Sequence, residues 1–224
     1  MKLFKWRSVS WTILTLCLVF ATAASANTIG PGGSGAPDIL SPTGAIIGDT
    51  GVLNFTTGPF LTGTTREIVI RDSITGDLDF IYAIHNNSTS TDGVGRSTTA
   101  AFTGFTTDVG YNLGLSPDLL GYSPTIAPLT VDRSLAGDTV GFNFGPPLGF
   151  PPGASSYDLI VETNAHYYTA GVLNFIDGGV AGVPGFAPTS TPEPASLALM
   201  GTGIVFCARL LRRKKKNAEA AITA

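Results

Sequence analysis

The clearest element of the sequence is EIVIRDSITGDLDFIYAIHN, residues 67–86. Its second half alternates apolar and polar side chains, as a β-strand with one buried face does. The apolar positions are Leu78, Phe80, Tyr82 and Ile84. Ile68 and Ile70 share one face of the first half, and residues 73–77 carry the turn-forming types Ser, Thr, Gly and Asp. The stretch therefore predicts a β-hairpin whose two strands bury their apolar faces against the same core.

The same pattern continues on both sides of this hairpin. Short segments rich in Thr, Val, Ile, Phe and Tyr recur between turn signals such as Thr91-Asp92-Gly93 and Asp177-Gly178-Gly179. About nine short strands without a helical period predict an all-β fold, an antiparallel β-sandwich of jelly-roll or immunoglobulin-like topology. The pentapeptide GVLNF occurs at 51–55 and again at 171–175, which suggests two strands that pair or have matched roles.

Composition divides the rest of the chain into segments. Residues 27–42 are rich in Gly and Pro and are predicted to form a flexible leader, with the β-sandwich domain at 43–184. Residues 185–191 are predicted to be a linker.

Charge is distributed unevenly along the 224 residues. Residues 27–191 contain fourteen Asp and Glu against four Arg and no Lys, a formal net charge of −10. Such a surface repels phosphate backbones, which argues against a nucleic acid partner. The same segment has no Cys, so the domain has no disulfide and depends on its own core.

The N-terminus has the three regions of a secretory signal peptide. Basic residues at the start of 1–26 precede an apolar run, and Ala24 and Ala26 supply a small-residue cleavage site before Asn27. The segment predicts export by the secretion machinery and removal by signal peptidase.

The C-terminus predicts a membrane-stop segment. Pro192-Glu193-Pro194 precedes the apolar stretch 195–208, which is marginal in length for a bilayer-spanning helix, and a basic cluster follows. The cluster comprises Arg209, Arg212, Arg213, Lys214, Lys215 and Lys216. Basic residues favour the cytoplasmic side, so residues 217–224 are predicted to be a cytoplasmic tail and the acidic body is predicted to lie outside.

Residues 191–216 resemble the PEP-CTERM sorting signal, because the tripeptide, the short apolar helix and the basic cluster occur in the order typical of it. The resemblance implies processing near Pro192-Glu193-Pro194 by an exosortase, a membrane-embedded transpeptidase, and then surface attachment or release from a Gram-negative bacterium. The two prolines also keep the tripeptide extended and outside the following helix. The alternative is a permanent tail anchor that is never cleaved.

No catalytic motif stands out. His85 and His166 are the two histidines, and neither belongs to a zinc-binding or nucleophile motif, so we expect no enzyme activity and no cofactor. Asp72, Asp77 and Asp79 flank a turn and form a weak calcium candidate without the spacing of a calcium loop.

Carbohydrate binding is the main alternative for the displayed domain, with an extracellular polysaccharide as partner; a cell-surface hydrolase comes after it. Tyr167-Tyr168 must place one ring outward on any strand, although a core ring beside a surface ring is the commoner arrangement. The sequence thus predicts a secreted, surface-sorted, non-catalytic protein of the bacterial envelope or extracellular matrix, held at the inner membrane through its C-terminal helix until it is processed.

Overall fold

The computed structural model describes residues 28–114, 117–145 and 149–190. These ranges contain thirteen β-strands. The strands are β1 (Ser34–Gly35), β2 (Asp38–Ile39), β3 (Gly44–Asp49), β4 (Leu53–Thr56), β5 (Thr62–Asp72), β6 (Leu78–Asn86), β7 (Arg96–Thr99), β8 (Thr107–Asn112), β9 (Thr130–Arg133), β10 (Val140–Asn143), β11 (Asp158–Thr163), β12 (Tyr167–Asp177) and β13 (Gly179–Thr189). The all-β prediction is confirmed for this part of the chain.

The strands form two sheets. A six-stranded sheet has the order β1-β9-β10-β7-β12-β13. A seven-stranded sheet has the order β2-β8-β11-β6-β5-β3, with β4 also paired to β5. The long central strands of the second sheet pair antiparallel, whereas β2 pairs with β8 in parallel.

Apolar side chains from both sheets meet in one main core, which makes the arrangement sandwich-like. The repeated GVLNF segments contribute to it from opposite sheets. Their phenylalanines, Phe55 on β4 and Phe175 on β12, stack with ring centroids 4.1 Å apart. The two segments do not pair through their backbones, because β4 pairs with β5. The two copies of GVLNF therefore have matched roles in the core and are not partners in a strand pair.

The predicted hairpin is present, with β5 ending at Asp72 and β6 starting at Leu78. Its faces differ from the prediction. Val69 lies in the main core, whereas Ile68 and Ile81 form a second cluster with Ile160, against which Ile70 packs. The prediction that both strands bury Ile68 and Ile70 in the same core as Leu78 is wrong, because Ile68 pairs with Ile81 and side chains of directly paired residues share a face.

The second cluster explains why β6 is buried on both faces. The segment containing Leu119 crosses the outer face of the seven-stranded sheet, and Leu119 packs on the cluster. The Leu119 N–H donates to Asp158 Oδ1 at 3.0 Å, and Arg66 Nη1 donates to the Leu119 carbonyl at 3.2 Å. Because this segment covers the outer face, β6 has no face open to solvent, whereas the alternation of apolar and polar residues predicts one.

The predicted flexible leader (27–42) and the predicted linker (185–191) both contain ordered structure. In the leader, Ile29 is buried, and its carbonyl accepts a hydrogen bond from the Arg133 guanidinium at 3.3 Å. Residues 185–189 of the predicted linker belong to β13. Pairing and burial outweigh the Gly and Pro content in both places.

Predictions about the termini fall outside the described residues. They include the signal peptide with its cleavage site at Ala24, Ala26 and Asn27, the tripeptide at 192–194, the basic cluster and the tail 217–224. The apolar stretch 195–208 also lies outside them, and the described part of the chain has no helix long and apolar enough to cross a membrane.

Candidate functional site

An open cleft of about 480 Å³ lies where β7 begins and where β10 and β12 end. Arg96 opens β7, Asn143 closes β10 and Asp177 closes β12, so three neighbouring strands present polar side chains at one edge of the sheet. Asp92 joins them from the loop before β7. The remaining lining residues are Gly93, Gly95, Gly145, Gly149, Ile176 and Gly178.

Glycine keeps the cleft open where the backbone makes a close approach. Gly149 has a φ of 59°, and a Cβ there would lie 1.9 Å from the Val94 carbonyl oxygen. Since Phe150 N–H donates to that same carbonyl at 3.0 Å, a side chain at Gly149 would break the bridge that closes this wall of the cleft.

Asp92 and Asp177 form a carboxyl pair in the cleft. Partial burial raises the pKa of Asp177 above its usual value, and the neighbouring carboxyl of Asp92 raises it further. Asp92 is held in place because its Oδ1 accepts the Gly93 N–H at 2.9 Å and its carbonyl accepts Asn86 Nδ2 at 2.9 Å. The two side chains are also hydrogen-bonded to each other, so the pair places carboxyl oxygens close together.

A hydrogen-bonded network forms the opposite side of the cleft. Arg96 Nη2 donates to Asp132 Oδ1 at 2.7 Å, and its Nη1 donates to Asp132 Oδ2 and, at 2.7 Å, to Asn143 Oδ1. Asn143 Nδ2 donates in turn to Asp132 Oδ2 at 2.7 Å. Hydrogen bonds from Arg96 hold the pKa of Asp132 below its usual value, although burial opposes this. The guanidinium passes over Gly141, where a Cβ would lie 2.1 Å from Nη2.

The two histidines lie apart and have separate partners. His85 Nδ1 lies 2.8 Å from Ser155 Oγ, and the imidazole stacks on Tyr122 at 3.8 Å. Burial lowers the pKa of His85. Ser155 is buried, with only 3% of its surface exposed. His166 is exposed, with Nδ1 3.2 Å from Asp77 Oδ1.

The three aspartates of the weak calcium candidate have different surroundings. Asp72 Oδ1 accepts the N–H groups of Ile74 and Thr75, at 2.8 and 2.7 Å, and so caps its own turn. Asp77 faces His166, and Asp79 is buried in β6. The described residues contain no group of three or more His, Cys, Asp or Glu side chains arranged to hold a metal.

A row of carboxyls crosses the seven-stranded sheet, and sequence reasoning missed it. Glu162 on β11 pairs with Asp79 on one side and with Asp108 on the other. Burial, followed by the charge of Glu162, raises the pKa of Asp79 to about 7; burial, followed by Asp38, raises that of Asp108 to about 6. The row depends on strand register, which the residue order alone does not give.

Glu67 was also missed. It lies on the core side of β5, opposite Tyr82, and is fully buried. Oε2 accepts the Phe186 N–H at 2.8 Å, whereas Oε1 has no hydrogen-bond partner among the described residues. Desolvation raises the pKa of Glu67 to about 8 against the opposing effect of that hydrogen bond, so the side chain is mainly protonated at neutral pH.

The predicted division of roles between the adjacent tyrosines is confirmed. Tyr167 is half exposed, whereas Tyr168 is partly buried and donates its hydroxyl to the Ile47 carbonyl at 2.6 Å. Tyr168 also packs edge-on against Phe186. One exposed ring does not make an aromatic platform.

Comparison with known proteins identifies one segment. Residues 190–215 match the family model of the PEP-CTERM protein-sorting motif, which confirms the resemblance seen in the sequence. The motif implies exosortase-dependent sorting of an extracellular or surface protein. No curated protein and no solved structure matches the chain.

Proposed function

We propose that this chain is a secreted, non-catalytic protein of the bacterial envelope or extracellular matrix, and that an exosortase cleaves it near Pro192-Glu193-Pro194. The match of residues 190–215 to the sorting motif carries this proposal. The exported part is the β-sandwich body, which reaches the outside through the secretion machinery after signal peptidase cuts before Asn27.

Charge supports this orientation. Residues 27–191 have a formal net charge of −10, and the basic cluster follows the apolar stretch 195–208. Basic residues that flank an apolar segment are retained on the cytoplasmic side of a membrane, so the body on the other side of the stretch lies outside. The apolar stretch 195–208 thus holds the chain in the inner membrane only until the tripeptide is cut.

The histidine environments support a non-catalytic role. Tyr122 covers the His85 ring and Ser155 is buried, so this Ser–His pair lacks an exposed nucleophile. His166 faces Asp77 on the surface without a serine or cysteine in the contact. The pair at His85 fits a structural role, joining β6 to the segment before β11.

Intact-mass analysis of the protein from its native host tests the sorting step. With the sorting enzyme present, the mature chain should begin at Asn27 and end near residues 190–194. Deleting the enzyme should restore a C-terminus at Ala224. A C-terminus at Ala224 in both strains would mean that the chain is a permanently tail-anchored protein and not an exosortase substrate.

A matched pair of variants tests the role of the tripeptide. Glu193→Gln should block or slow the cut, because it alters the motif while keeping its size and both prolines. Glu219→Gln removes the same charge from the tail after the basic cluster and should be processed normally. Equal processing of the two variants would argue against recognition of Glu193.

A further inference from the structure

We propose that the cleft between Asp92, Asp177, Arg96 and Asn143 binds a neutral sugar unit of an extracellular polysaccharide. The proposal rests on the proposed export of the β-sandwich body, which places the cleft outside the cell. It extends that function by naming the ligand class and the residues that hold it.

The size and openness of the cleft suit one or two sugar rings within a longer chain. Its volume of about 480 Å³ falls within the roughly 300–1,000 Å³ that is typical of small-molecule sites. Because the cleft is open, a sugar unit within a longer chain can enter it.

The polar groups of the cleft suit a ligand that carries hydroxyl groups better than a ligand that carries a single charge. Carboxylates only accept hydrogen bonds and a guanidinium only donates them, whereas each sugar hydroxyl does both. Asp92 and Asp177 offer acceptor oxygens on one side. On the other side, Arg96 uses three of its five N–H groups in hydrogen bonds to Asp132 and Asn143, which leaves two without a partner among the described residues.

Charge favours a neutral sugar over an acidic one. Asp132 already neutralises Arg96, so among the described lining residues the charge without a basic partner is that of Asp92 and Asp177. A uronic acid would place a third carboxylate beside this pair, which like-charge repulsion disfavours. Ile176 is the one large apolar side chain in the described lining, and it can contact the C–H face of a ring.

A bare cation fits the cleft less well. A hard cation such as Ca²⁺ takes six to eight oxygen ligands. The described residues bring together no group of three acidic or histidine side chains suited to a metal, and the cleft contributes two carboxylates. The cleft therefore matches a polyhydroxyl ligand better than a cation, and the experiment below distinguishes the two.

Saturation-transfer NMR on the full chain, kept in a zwitterionic detergent without a sugar headgroup, tests the proposal. The probes are neutral tetrasaccharides of glucose, galactose, mannose and N-acetylglucosamine, with tetragalacturonate as the acidic counterpart and CaCl₂ in a separate titration. At least one neutral probe should bind with a Kd on the order of 0.1–1 mM, and tetragalacturonate should bind more weakly.

Isosteric variants assign the binding to the cleft. Asp92→Asn and Asp177→Asn should each weaken the binding of the neutral probe by about tenfold, because a charge-assisted hydrogen bond becomes a neutral one. Asp138→Asn removes the same charge from the exposed turn between β9 and β10, at the opposite end of β10, and should leave binding unchanged. Thermal unfolding of each variant confirms that the fold is intact.

Several results would overturn the proposal: no neutral probe binds, tetragalacturonate binds more tightly, or binding survives both cleft substitutions. Calcium binding that Asp177→Asn abolishes would identify a cation site instead. None of these results bears on processing at residues 192–194, so failure of the sugar site is distinguishable from failure of the sorting proposal.

Discussion

Replacing the buried Glu67 with glutamine should stabilise the protein by an amount that grows with pH. The folded state holds a proton on this carboxyl up to a pKa of about 8, against an ordinary value of 4.5. An unfolded chain releases that proton near pH 4.5, so the contribution of Glu67 is most favourable at or below that pH. Stability is then lost as pH rises, until the folded protein also ionises near pH 8.

The magnitude follows from the shift. Each pKa unit corresponds to about 1.4 kcal/mol, so Glu67 lowers the free energy of unfolding by about 3 kcal/mol at pH 7 and by about 5 kcal/mol above pH 8. Glutamine stays neutral at every pH, and its amide oxygen can accept the Phe186 N–H as Oε2 does. Glu67→Gln removes this pH-dependent loss.

Urea unfolding of the wild type and of Glu67→Gln at pH 5, 7 and 8.5 measures the effect. The two proteins should differ by less than about 1 kcal/mol at pH 5, and the variant should gain several kcal/mol by pH 8.5. Asp138→Asn controls for the loss of one negative charge at an exposed position. A difference between wild type and Glu67→Gln that stays constant across this range would refute the reasoning, since only a titrating buried carboxyl produces the slope.

Three further substitutions test the hydrogen bonds and charge interactions of the body. Arg133→Met should lower the free energy of unfolding by about 3 kcal/mol in urea, because the buried guanidinium donates five hydrogen bonds, to four carbonyls and one hydroxyl, and all five would be lost. Gly141→Ala should push Arg96 away from Asp132 and cost about 1 kcal/mol, and NMR titration should show the pKa of Asp132 rising toward its ordinary value. Asp177→Asn should raise stability at pH 7 by about 0.5 kcal/mol by relieving repulsion within the cleft's carboxyl pair; calorimetry at pH 3 should show no gain.

Local patterns predicted which segments form strands better than they predicted which face is buried. The turn at residues 73–77 and the pairing of β5 with β6 follow from residue types near each other in sequence. The burial of Ile68 on the outer face depends on Leu119, a residue from an irregular segment with no period of its own. Successive side chains of a strand point to opposite faces. Glu67 therefore lies on the side of the main core, while its neighbour Ile68 lies in the second cluster on the outer face.

The cleft also depends on contacts between distant parts of the chain, which local sequence patterns do not predict. Turn signals in the sequence contain both Asp92 and Asp177, but they lie far apart in the chain, and only the meeting of β7 and β12 brings them together. The burial of Ile29 is similar, since its carbonyl partner Arg133 comes from a distant strand. Composition describes the flexibility of an isolated segment and does not register contacts that other strands supply.

The position of β13 explains why the proposed cut can leave the body intact. β13 ends at Thr189, and the tripeptide begins at Pro192, three residues later. The strand supplies the Phe186 N–H that Glu67 accepts, and it also contributes the buried Ala187. A cut before Phe186 would leave both oxygens of a buried carboxyl without a partner, whereas a cut at the tripeptide removes no residue of the strand. Cleavage at the tripeptide therefore keeps these core contacts within the mature chain.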